Sequence, residues 1–354
     1  MRKASYPRPI HEDVDVKAER EKIKTTDIAT LKKKNAILLV DAQKNYARQC
    51  SSRCAVHSLS LSIGHNECFG ILGQTGSGKT TIFKMLTGEI SITQGDIFVH
   101  GDSVKTTRTQ KTIGYCPQLP ALQHRLTGRE VLLLYARLKG VVGDSVSQLV
   151  EDIIDFIKLR PHEDKQTKNY SNGTKRKLSV GIAIVCNPNL LVLDDPTAGM
   201  DPVSRRNMWD IMLSIKAHKR TILMTSHSIE ECQALCGKFA IIKKGQLLCL
   251  GSRESLENKF KTVYSVFLYA NQLENGLLIP IEPAVDFVHG SFINVVLFSK
   301  QKALCQLQIP QHVRLSALFT ILEKAKESYN LKHYTVQKTS LEQIFFKMIK
   351  EEHY

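Results

Sequence analysis

Residues 73–80 read "GQTGSGKT", a stretch rich in glycine that ends in a lysine and a threonine. It fits the pattern G-x-x-x-x-G-K-[ST], follows the apolar run "ECFGIL" and precedes the helical run "TIFKMLTG". Glycines here let backbone amides curl around phosphate oxygens at a helix N-terminus, where the helix dipole favours anions. The octet predicts a phosphate-binding loop but would also suit a motor protein. The predicted nucleotide contacts are Gly73, Gln74, Thr75, Gly76, Ser77, Gly78, Lys79, Thr80 and Thr81.

A carboxylate follows a second apolar strand, in the stretch "LVLDDPTAGMDP" at 191–202. Asp194 ends the buried run "LLVL", where a carboxylate can hold Mg²⁺ through water, and the Thr80 hydroxyl is the expected second ligand. Alone, Asp194 would suit a helix cap or a turn. With the phosphate loop upstream, the pair predicts a MgATP site in which Lys79 reaches the β and γ phosphates.

The composition indicates a globular protein of one large domain or two ordinary ones. Hydrophobic residues make up 42% of the 354 residues and charged residues 23%. No run approaches the roughly 18 to 20 apolar residues that a membrane-spanning helix needs. The polar N-terminal segment has no apolar core, so it is not a secretory signal and is expected to be a solvated, partly disordered lead-in.

The cysteines and the charge leave alternatives open. Nine scattered cysteines do not form a disulfide framework, which implies a reducing cytosol. Cys50 with Cys54 and Cys232 with Cys236 have a spacing that metal ligands could use, but buried small apolar residues explain them better. The net charge of +15 suits nucleic acid, the anionic inner leaflet of a membrane, or simply a solvated basic surface.

Three sections follow from the order of the patterns. Residues 1–36 are a polar lead-in, and residues 37–260 alternate β-rich runs with helical patterns, which is typical of a parallel α/β sheet. Residues 261–354 differ in their pattern of strand-like and helix-like runs. There "TVYSVFLYA", "INVVLFS" and "HYTVQK" suggest strands, while "LSALFTILEKAKESYN" and "SLEQIFFKMIKE" have helical spacing. This section is expected to be a separate small α+β module.

The stretch "YSNGTKRKLS" at 170–179 resembles the signature of an ATP-binding cassette (ABC) domain. Other motifs agree in order: Gln118 in "YCPQ" is similar to the Q-loop glutamine, Asp201 in "GMDP" to the D-loop aspartate, and His227 in "TSHS" to the switch histidine. Motor proteins lack this signature, so that reading falls away.

The resemblance narrows to the A subfamily of ABC transporters, and above all to their second cassette. It runs from about Val40 to Ile349 and includes "FKMLTGEISITQGD", "LTGREVLLLYARLKG" and "TSHSIEECQALC". It implies an α/β P-loop NTPase fold of the ABC type with a helical subdomain, followed by a C-terminal α+β, ferredoxin-like regulatory module. These large proteins export or flip lipids.

The resemblance also implies roles and partners. Tyr46 sits where an aromatic ring stacks on adenine, although an ordinary tyrosine at a strand end is the alternative. Ser171, Asn172 and Gly173 would face the nucleotide of a second cassette, because ABC domains pair head to tail. Gln118 would link Mg²⁺ to the groove that receives the transmembrane domains. The expected location is the cytoplasmic face of a membrane, with lipid as the indirect substrate and no nucleic acid.

Two positions depart from the family pattern. Asp195 stands where a glutamate orients and deprotonates the attacking water, and the missing methylene retracts the carboxylate by about 1.3 Å. A displacement of about 1 Å can cost on the order of 100-fold in rate. Asn172 stands in place of a signature glycine; asparagine tolerates left-handed backbone, but its side chain adds bulk near the γ-phosphate. Thr174 also replaces the usual amide.

The sequence therefore predicts a cassette that binds MgATP, pairs with a second cassette and hydrolyses ATP slowly to power lipid transport. One rival is a nucleotide clamp with negligible turnover, favoured by Asp195 and Asn172. The other is a soluble ABC ATPase acting on ribosomes or nucleic acid, favoured by the charge. Such ATPases usually carry two cassettes, whereas one phosphate loop is present here.

Overall fold

The computed structural model divides the chain into two compact units, Met1–Arg253 and Glu254–Tyr354. The division precedes the boundary at residue 260 predicted from the sequence, and the domain limits stay a prediction. The structure describes residues 13–48, 51–106, 109, 112–143, 145–260, 263–272, 278–293, 295–300, 303–310, 313–338 and 345. The predicted helix "SLEQIFFKMIKE" and Cys50 lie outside these residues, apart from Phe345.

A six-stranded sheet forms the centre of the first unit, in the order β10-β9-β3-β8-β7-β6. Strands β6, β7, β8, β3 and β9 run parallel to one another, and β10 pairs with β9 in the antiparallel direction. The apolar run "CFGIL" is buried along its whole length because parallel neighbours flank β3 on both sides. The strands are β3 (Cys68–Leu72), β6 (Ile113–Cys116), β7 (Leu190–Leu193), β8 (Thr221–Ser226), β9 (Lys238–Lys243) and β10 (Gln246–Ser252).

A second, antiparallel sheet has the order β2-β1-β4-β5. Its long strands bury alternate apolar residues against the central sheet, so that both sheets share one hydrophobic core. Tyr46 lies near the end of its longest hairpin. The strands are β1 (Asn35–Arg48), β2 (Ser51–Gly64), β4 (Gln94–Val99) and β5 (Asp102–Ser103).

The helices of the first unit begin at residues suited to capping. Thr127 and Glu130 form a reciprocal capping box, and Ser171, Asp201 and Ser228 each cap the helix that follows. The helices are Val14–Thr25, Ile28–Lys34, Lys79–Leu86, Gly128–Leu138, Ser145–Phe156, Asn172–Ile184, Pro202–Ala217, Ile229–Leu235 and, across the unit division, Arg253–Phe260.

The described part of the N-terminal segment, from residue 13, is folded, where the sequence analysis expected a solvated, partly disordered lead-in. The described part of it forms two helices, and Val16, Ile23 and Leu31 are each no more than 3% exposed. Glu19 also accepts hydrogen bonds from the backbone and side chain of Ser62 on β2. These helices could not be predicted from the sequence, because they contain few apolar residues among many charged ones. Residues 13–34 are therefore an integral layer of the first unit.

The second unit has the element order β-α-β-β-α-β. Its four strands form an antiparallel sheet in the order β12-β13-β11-β14, and a separate apolar core packs two helices against it. This is the α+β pattern expected of a ferredoxin-like module, a name that stays an interpretation. The elements are β11 (Val263–Tyr269), β12 (Val296–Lys300), β13 (Leu304–Pro310), β14 (His333–Lys338) and the helices Glu282–Ser291 and Leu315–Ser328.

Across the described residues, no helix combines the length and the apolar character needed to cross a bilayer. Cys232 and Cys236 are buried, as expected for small apolar residues. Cys68 lies beside them, with 3.5 Å between its sulfur and that of Cys236. Thiol hydrogen bonds, of Cys68 with Cys236 and of Cys236 with Cys232, together with burial, hold the pKa values of the Cys68 and Cys236 thiols well above the usual range.

Candidate functional site

The predicted phosphate loop lies between β3 and the helix Lys79–Leu86, as its sequence context requires. Gly78 caps that helix with φ of 107°, in the left-handed region that favours glycine. A Cβ atom on Gly78 would lie 2.7 Å from the carbonyl oxygen of Ala55. A Cβ on Gly73 would lie 2.6 Å from the carbonyl oxygen of Ile242. Both glycines are therefore required by close backbone approach.

Lys79 is 5% exposed, and its Nζ donates to the carbonyl oxygens of Gly73 and Gln74 at 2.7 and 3.0 Å. The ammonium thus lies inside the loop, where a phosphate would replace its carbonyl partners. Burial lowers the pKa of Lys79, and the nearby carboxylates of Asp195 and Asp194 act in the opposite direction. The loop holds a buried cation beside two acidic residues.

Asp194 follows the buried strand β7 and is 1% exposed. Its Oδ1 accepts a hydrogen bond from Oγ1 of Thr225, on the neighbouring strand β8, at 2.6 Å. Its Oδ2 has no hydrogen-bond partner among the described residues, and neither has the buried Oγ of Ser77 in the loop. Buried polar atoms are normally satisfied, so these two mark a place for a ligand.

Asp195 has a left-handed backbone, with φ of 47°, and is 5% exposed. Its backbone N–H donates to Oγ1 of Thr225 at 2.9 Å. Its carbonyl oxygen accepts a hydrogen bond from the guanidinium of Arg176. Aspartate is among the few residues that adopt this conformation readily, and two neighbours hold it there.

The carboxylate of Asp195 brings Gln118 and His227 together. Its Oδ2 lies 3.3 Å from Nε2 of Gln118 and 3.1 Å from Nε2 of His227. Burial raises the pKa of Asp195, while His227 and Lys79 act to lower it. The three residues predicted to be catalytic therefore meet at one carboxylate oxygen.

Arg176 is a site residue that the sequence analysis did not single out. It is 2% exposed and lies on the helix Asn172–Ile184. Its Nη1 donates to the carbonyl oxygen of Pro117 at 2.5 Å, and its Nη2 donates to those of Asp194, at 2.9 Å, and Asp195. One guanidinium therefore contacts the segment before Gln118 and the end of β7.

A cavity of about 570 Å³ joins the phosphate loop to this cluster. Tyr46 lies at its edge, 38% exposed, with Nζ of Lys44 5.4 Å from the centre of its ring. Ala55, His57 and Lys244 also line the cavity and were missed, because no motif marks them. Cys54, which the sequence analysis considered only for its spacing from Cys50, lines it as well. The predicted residues that line it are Tyr46, Thr75, Gly76, Gly78, Lys79, Thr80, Thr81, Gln118, Asp195 and His227.

The signature residues lie at the start of the helix Asn172–Ile184, and they do not line that cavity. Ser171 caps the helix by accepting a hydrogen bond from the backbone of Thr174 at 3.2 Å. Asn172 is exposed and is the first residue of the helix, so its backbone does not need the left-handed tolerance that asparagine offers. A Cβ on Gly173 would lie 3.0 Å from Oγ of Ser204, so this side chain would have to shift by a few tenths of an ångström to accept a larger residue.

Asp201 is exposed and caps the helix Pro202–Ala217, accepting from the backbone of Ser204 at 2.9 Å. These hydrogen bonds lower its pKa. The buried carboxylate of Glu231 accepts hydrogen bonds from Thr197 at 2.7 Å, Ser226 at 2.5 Å and Trp209 at 3.3 Å.

Glu231 is 2% exposed, and burial raises its pKa. Ser226 directly precedes His227, and Thr197 belongs to the turn that follows Asp195. Glu231 thus connects the two segments that carry the predicted base and the switch histidine. The signal for it in the sequence was only a second glutamate in "SIEE", which no motif distinguishes from its exposed neighbour.

Comparison with known proteins agrees with this geometry. A sequence profile described as "ABC transporter" matches residues 56–198. The phospholipid-transporting ATPase ABCA3 of Homo sapiens is 41% identical over 337 residues, which are 94% of this chain and 20% of that protein. The retinal-specific phospholipid-transporting ATPase ABCA4 of Homo sapiens is 38% identical over 345 residues, 97% of this chain and 15% of that protein. The chain thus spans about a fifth or less of these relatives.

Solved structures show the same fold for the cassette. One is the dimeric post-hydrolysis state of the ATP-binding cassette MJ0796 bound to ADP and Pi, with a TM-score of 0.58 and 18% identity. The match covers 61% of this chain and 98% of the MJ0796 chain. Another is an ATP-binding subunit of an ABC transporter, with a TM-score of 0.58 and 22% identity over 64% of this chain and 93% of its own.

The chain therefore contains an ATP-binding cassette of the ABC transporter family, with the P-loop NTPase fold that was predicted. Its predicted resemblance to the A subfamily is confirmed by the identities to ABCA3 and ABCA4. An ABC domain is an ATPase domain that binds adenine nucleotide. The roles of the individual residues above stay predictions.

Proposed function

We propose that this chain is the MgATP-hydrolysing cassette of a lipid transporter and that Asp195 and Asn172 slow its turnover. The observation that carries the proposal is the convergence of Gln118, Asp195 and His227 beside the cavity that contains Lys79. This arrangement supplies phosphate-binding groups on one side and a carboxylate base on the other.

The residues fit a Mg²⁺ ion. Oδ2 of Asp194 is buried without a hydrogen-bond partner in the described structure, and carboxylate, hydroxyl and amide oxygens are the ligands that Mg²⁺ prefers. Asp194, Thr80 and Gln118 would hold the ion together with phosphate oxygens. When bound, Mg²⁺ would neutralise charge that develops on the phosphates. The chain's own residues would hold the nucleotide, orient water at Asp195 and keep His227 next to the reacting phosphate.

Asp195 is suited to accept a proton but is placed short of the position that a glutamate would reach. Its backbone is held by Thr225 and Arg176, so the carboxylate cannot advance by a simple change of backbone angle. We therefore expect hydrolysis that is slow while nucleotide binding is intact. A clamp with negligible turnover is the second candidate, because both Gln118 and His227 already occupy Oδ2 of Asp195.

The proposed partners are a second cassette and the transmembrane domains of a transporter. Ser171, Asn172 and Asp201 are exposed, as a head-to-tail partner would require. The names of the relatives support phospholipid as the transported substrate. The cytoplasmic face of a membrane, as the location, rests on the resemblance alone. The regulatory role of the second unit rests on resemblance alone.

The test measures MgATP turnover of the full chain at concentrations that drive pairing. Asp195→Glu should raise turnover about 10-fold to 100-fold with little change in ATP affinity, and Asp195→Asn should lower it. Each variant is also measured with Asn172→Gly, because a homodimer carries both departures in each composite site. If neither Asp195→Glu nor the double variant exceeds the parent, Asp195 is not a retracted base and the clamp is correct.

A further inference from the structure

The guanidinium of Arg176 occupies an unusual position for a side chain of the signature helix. It points away from the exposed end of that helix, where Ser171 and Asn172 lie, and into the cassette's own site. Arg176 is one helical turn beyond Asn172, so the two are rigidly connected by the helix backbone. A single residue thus links the surface expected to meet a partner with the interior around Asp195.

Within the described part of the chain, the hydrogen bonds of the Arg176 guanidinium go to backbone carbonyl oxygens. They belong to Pro117, which precedes Gln118, and to Asp194 and Asp195 at the end of β7. Hydrogen bonds from a charged donor are about twice as strong as neutral ones, and the guanidinium fork fixes their directions. A lysine would bring the same charge as a single point and could not span both segments in the same way.

We propose that Arg176 is a positioning residue that couples engagement of the signature segment, Ser171–Gly173, to the placement of Gln118 and Asp195 in the same chain. The proposal rests on the proposed function, in which the signature segment meets a partner's nucleotide. Movement of the signature helix on pairing would be passed through the guanidinium to the carbonyl oxygens of both catalytic segments.

Turnover tests the coupling in a double-mutant cycle. Arg176→Lys keeps the charge but loses the fork, and it should lower turnover about 10-fold or more at unchanged affinity for MgATP. Asn172→Gly should raise turnover in the parent chain but not in the Arg176→Lys chain. Additive effects in log turnover, or an equal loss of MgATP affinity, would overturn the proposal.

Amide hydrogen exchange tests the linkage without hydrolysis. The amide of Ala198 donates to the carbonyl oxygen of Asp195, and that of Asp194 donates to Cys116. In Arg176→Lys, exchange across residues 190–198 should accelerate about tenfold or more and should lose its response to MgATP-driven pairing. Lys175→Gln, a neighbouring loss of charge, is the control and should exchange like the parent. If the parent binds MgATP without turnover, the proposed function fails while this exchange experiment still decides the role of Arg176; unchanged exchange would refute it.

Discussion

His227 and Asp195 are in contact: Nε2 of the imidazole lies 3.1 Å from Oδ2 of the carboxylate. His227 is exposed on the cavity side, whereas Asp195 is buried beneath it. The exposed member can therefore reach a phosphate in the cavity while the buried member remains oriented by the imidazole. The contact gives the site an ordered pair of side chains.

Lys79→Ala should weaken MgATP binding strongly. The substitution removes a buried ammonium whose Nζ donates to two loop carbonyl oxygens. Loss of a charge-assisted hydrogen bond costs about 1.5 to 3 kcal/mol, which corresponds to roughly 10-fold to 100-fold in affinity. Lys84→Ala on the same helix is the control. Nζ of Lys84 lies 2.6 Å from Oε1 of Glu89, and Lys84 does not line the cavity. Equal affinities for Lys79→Ala and the parent, measured by calorimetry, would refute the phosphate-loop assignment.

Asp195→Asn should stabilise the first unit near neutral pH. Burial raises the native pKa of Asp195 above its ordinary value of 3.8, so the native state holds this proton more tightly than the unfolded state. The ionised carboxylate thus lowers parent stability as the pH rises through the native pKa, and the amide avoids this loss. We expect a Tm higher by at least about 1 °C at neutral pH, with the difference disappearing in acid.

Thermal melts of both proteins across the pH range measure this difference. Glu163→Gln would be a poor control because Glu163 belongs to an ion-pair network with Arg129 and Arg160. Glu230→Gln is suitable, since Glu230 is exposed. A Tm difference that is absent at neutral pH, or that grows on acidification, would contradict the assigned direction of the pKa.

Glu231→Ala should destabilise the first unit and reduce turnover together. It leaves three donors, on Thr197, Trp209 and Ser226, without their shared acceptor. The hydroxyl of Ser226 can still donate to the carbonyl oxygen of Ser228. An unsatisfied buried donor costs about 1 to 3 kcal/mol, so a total of roughly 2 kcal/mol or more is expected from Thr197 and Trp209. Denaturant unfolding measures it, with Glu230→Ala as the matched control. A loss below about 0.5 kcal/mol, the usual range for surface substitutions, would show that the network contributes little.

A chain ending at Asn258 should fold and bind MgATP as the full chain does. Its core lies between Val16 and Leu247, and the second core is formed separately by residues beyond 263. A chain ending at Lys243 is the informative comparison, because it loses β10 and Gly245, whose N–H donates to the carbonyl oxygen of Ser77 at 2.8 Å. We expect a cooperative melt and affinity within about 3-fold only for the longer chain. Failure of both chains to melt cooperatively would show that the two units depend on each other.

Local patterns predicted the parts of the site that follow directly from strand ends. The phosphate loop, Asp194 and His227 each come after an apolar run, and parallel strands bring such ends to one edge of a sheet. Arg176 and Thr225 could not be found in this way. The partners of Arg176 are 18 to 59 positions away from it in the sequence, and those of Thr225 are 30 to 31 positions away. No spacing in the sequence encodes these contacts.

The backbone of Asn172 shows that a family motif does not fix the backbone conformation of each of its residues. A glycine in a family motif suggests an unusual backbone angle, but here the helix begins at that position and any L-residue fits its backbone. The departure therefore acts through its exposed side chain. The N-terminal helices were missed for the opposite reason, since three buried apolar side chains suffice to attach a segment that is polar elsewhere.

The sequence contains one tryptophan, and it donates a hydrogen bond to Glu231 from a position that is 6% exposed. Indole emission is sensitive to the polarity and hydrogen bonding of its surroundings, so the intrinsic fluorescence of this protein comes from a single, known place. That place is the carboxylate that connects the turn after Asp195 with the segment before His227. A rearrangement of either segment on nucleotide binding would change the colour or yield of this emission, and the unmodified protein thus carries its own optical reporter.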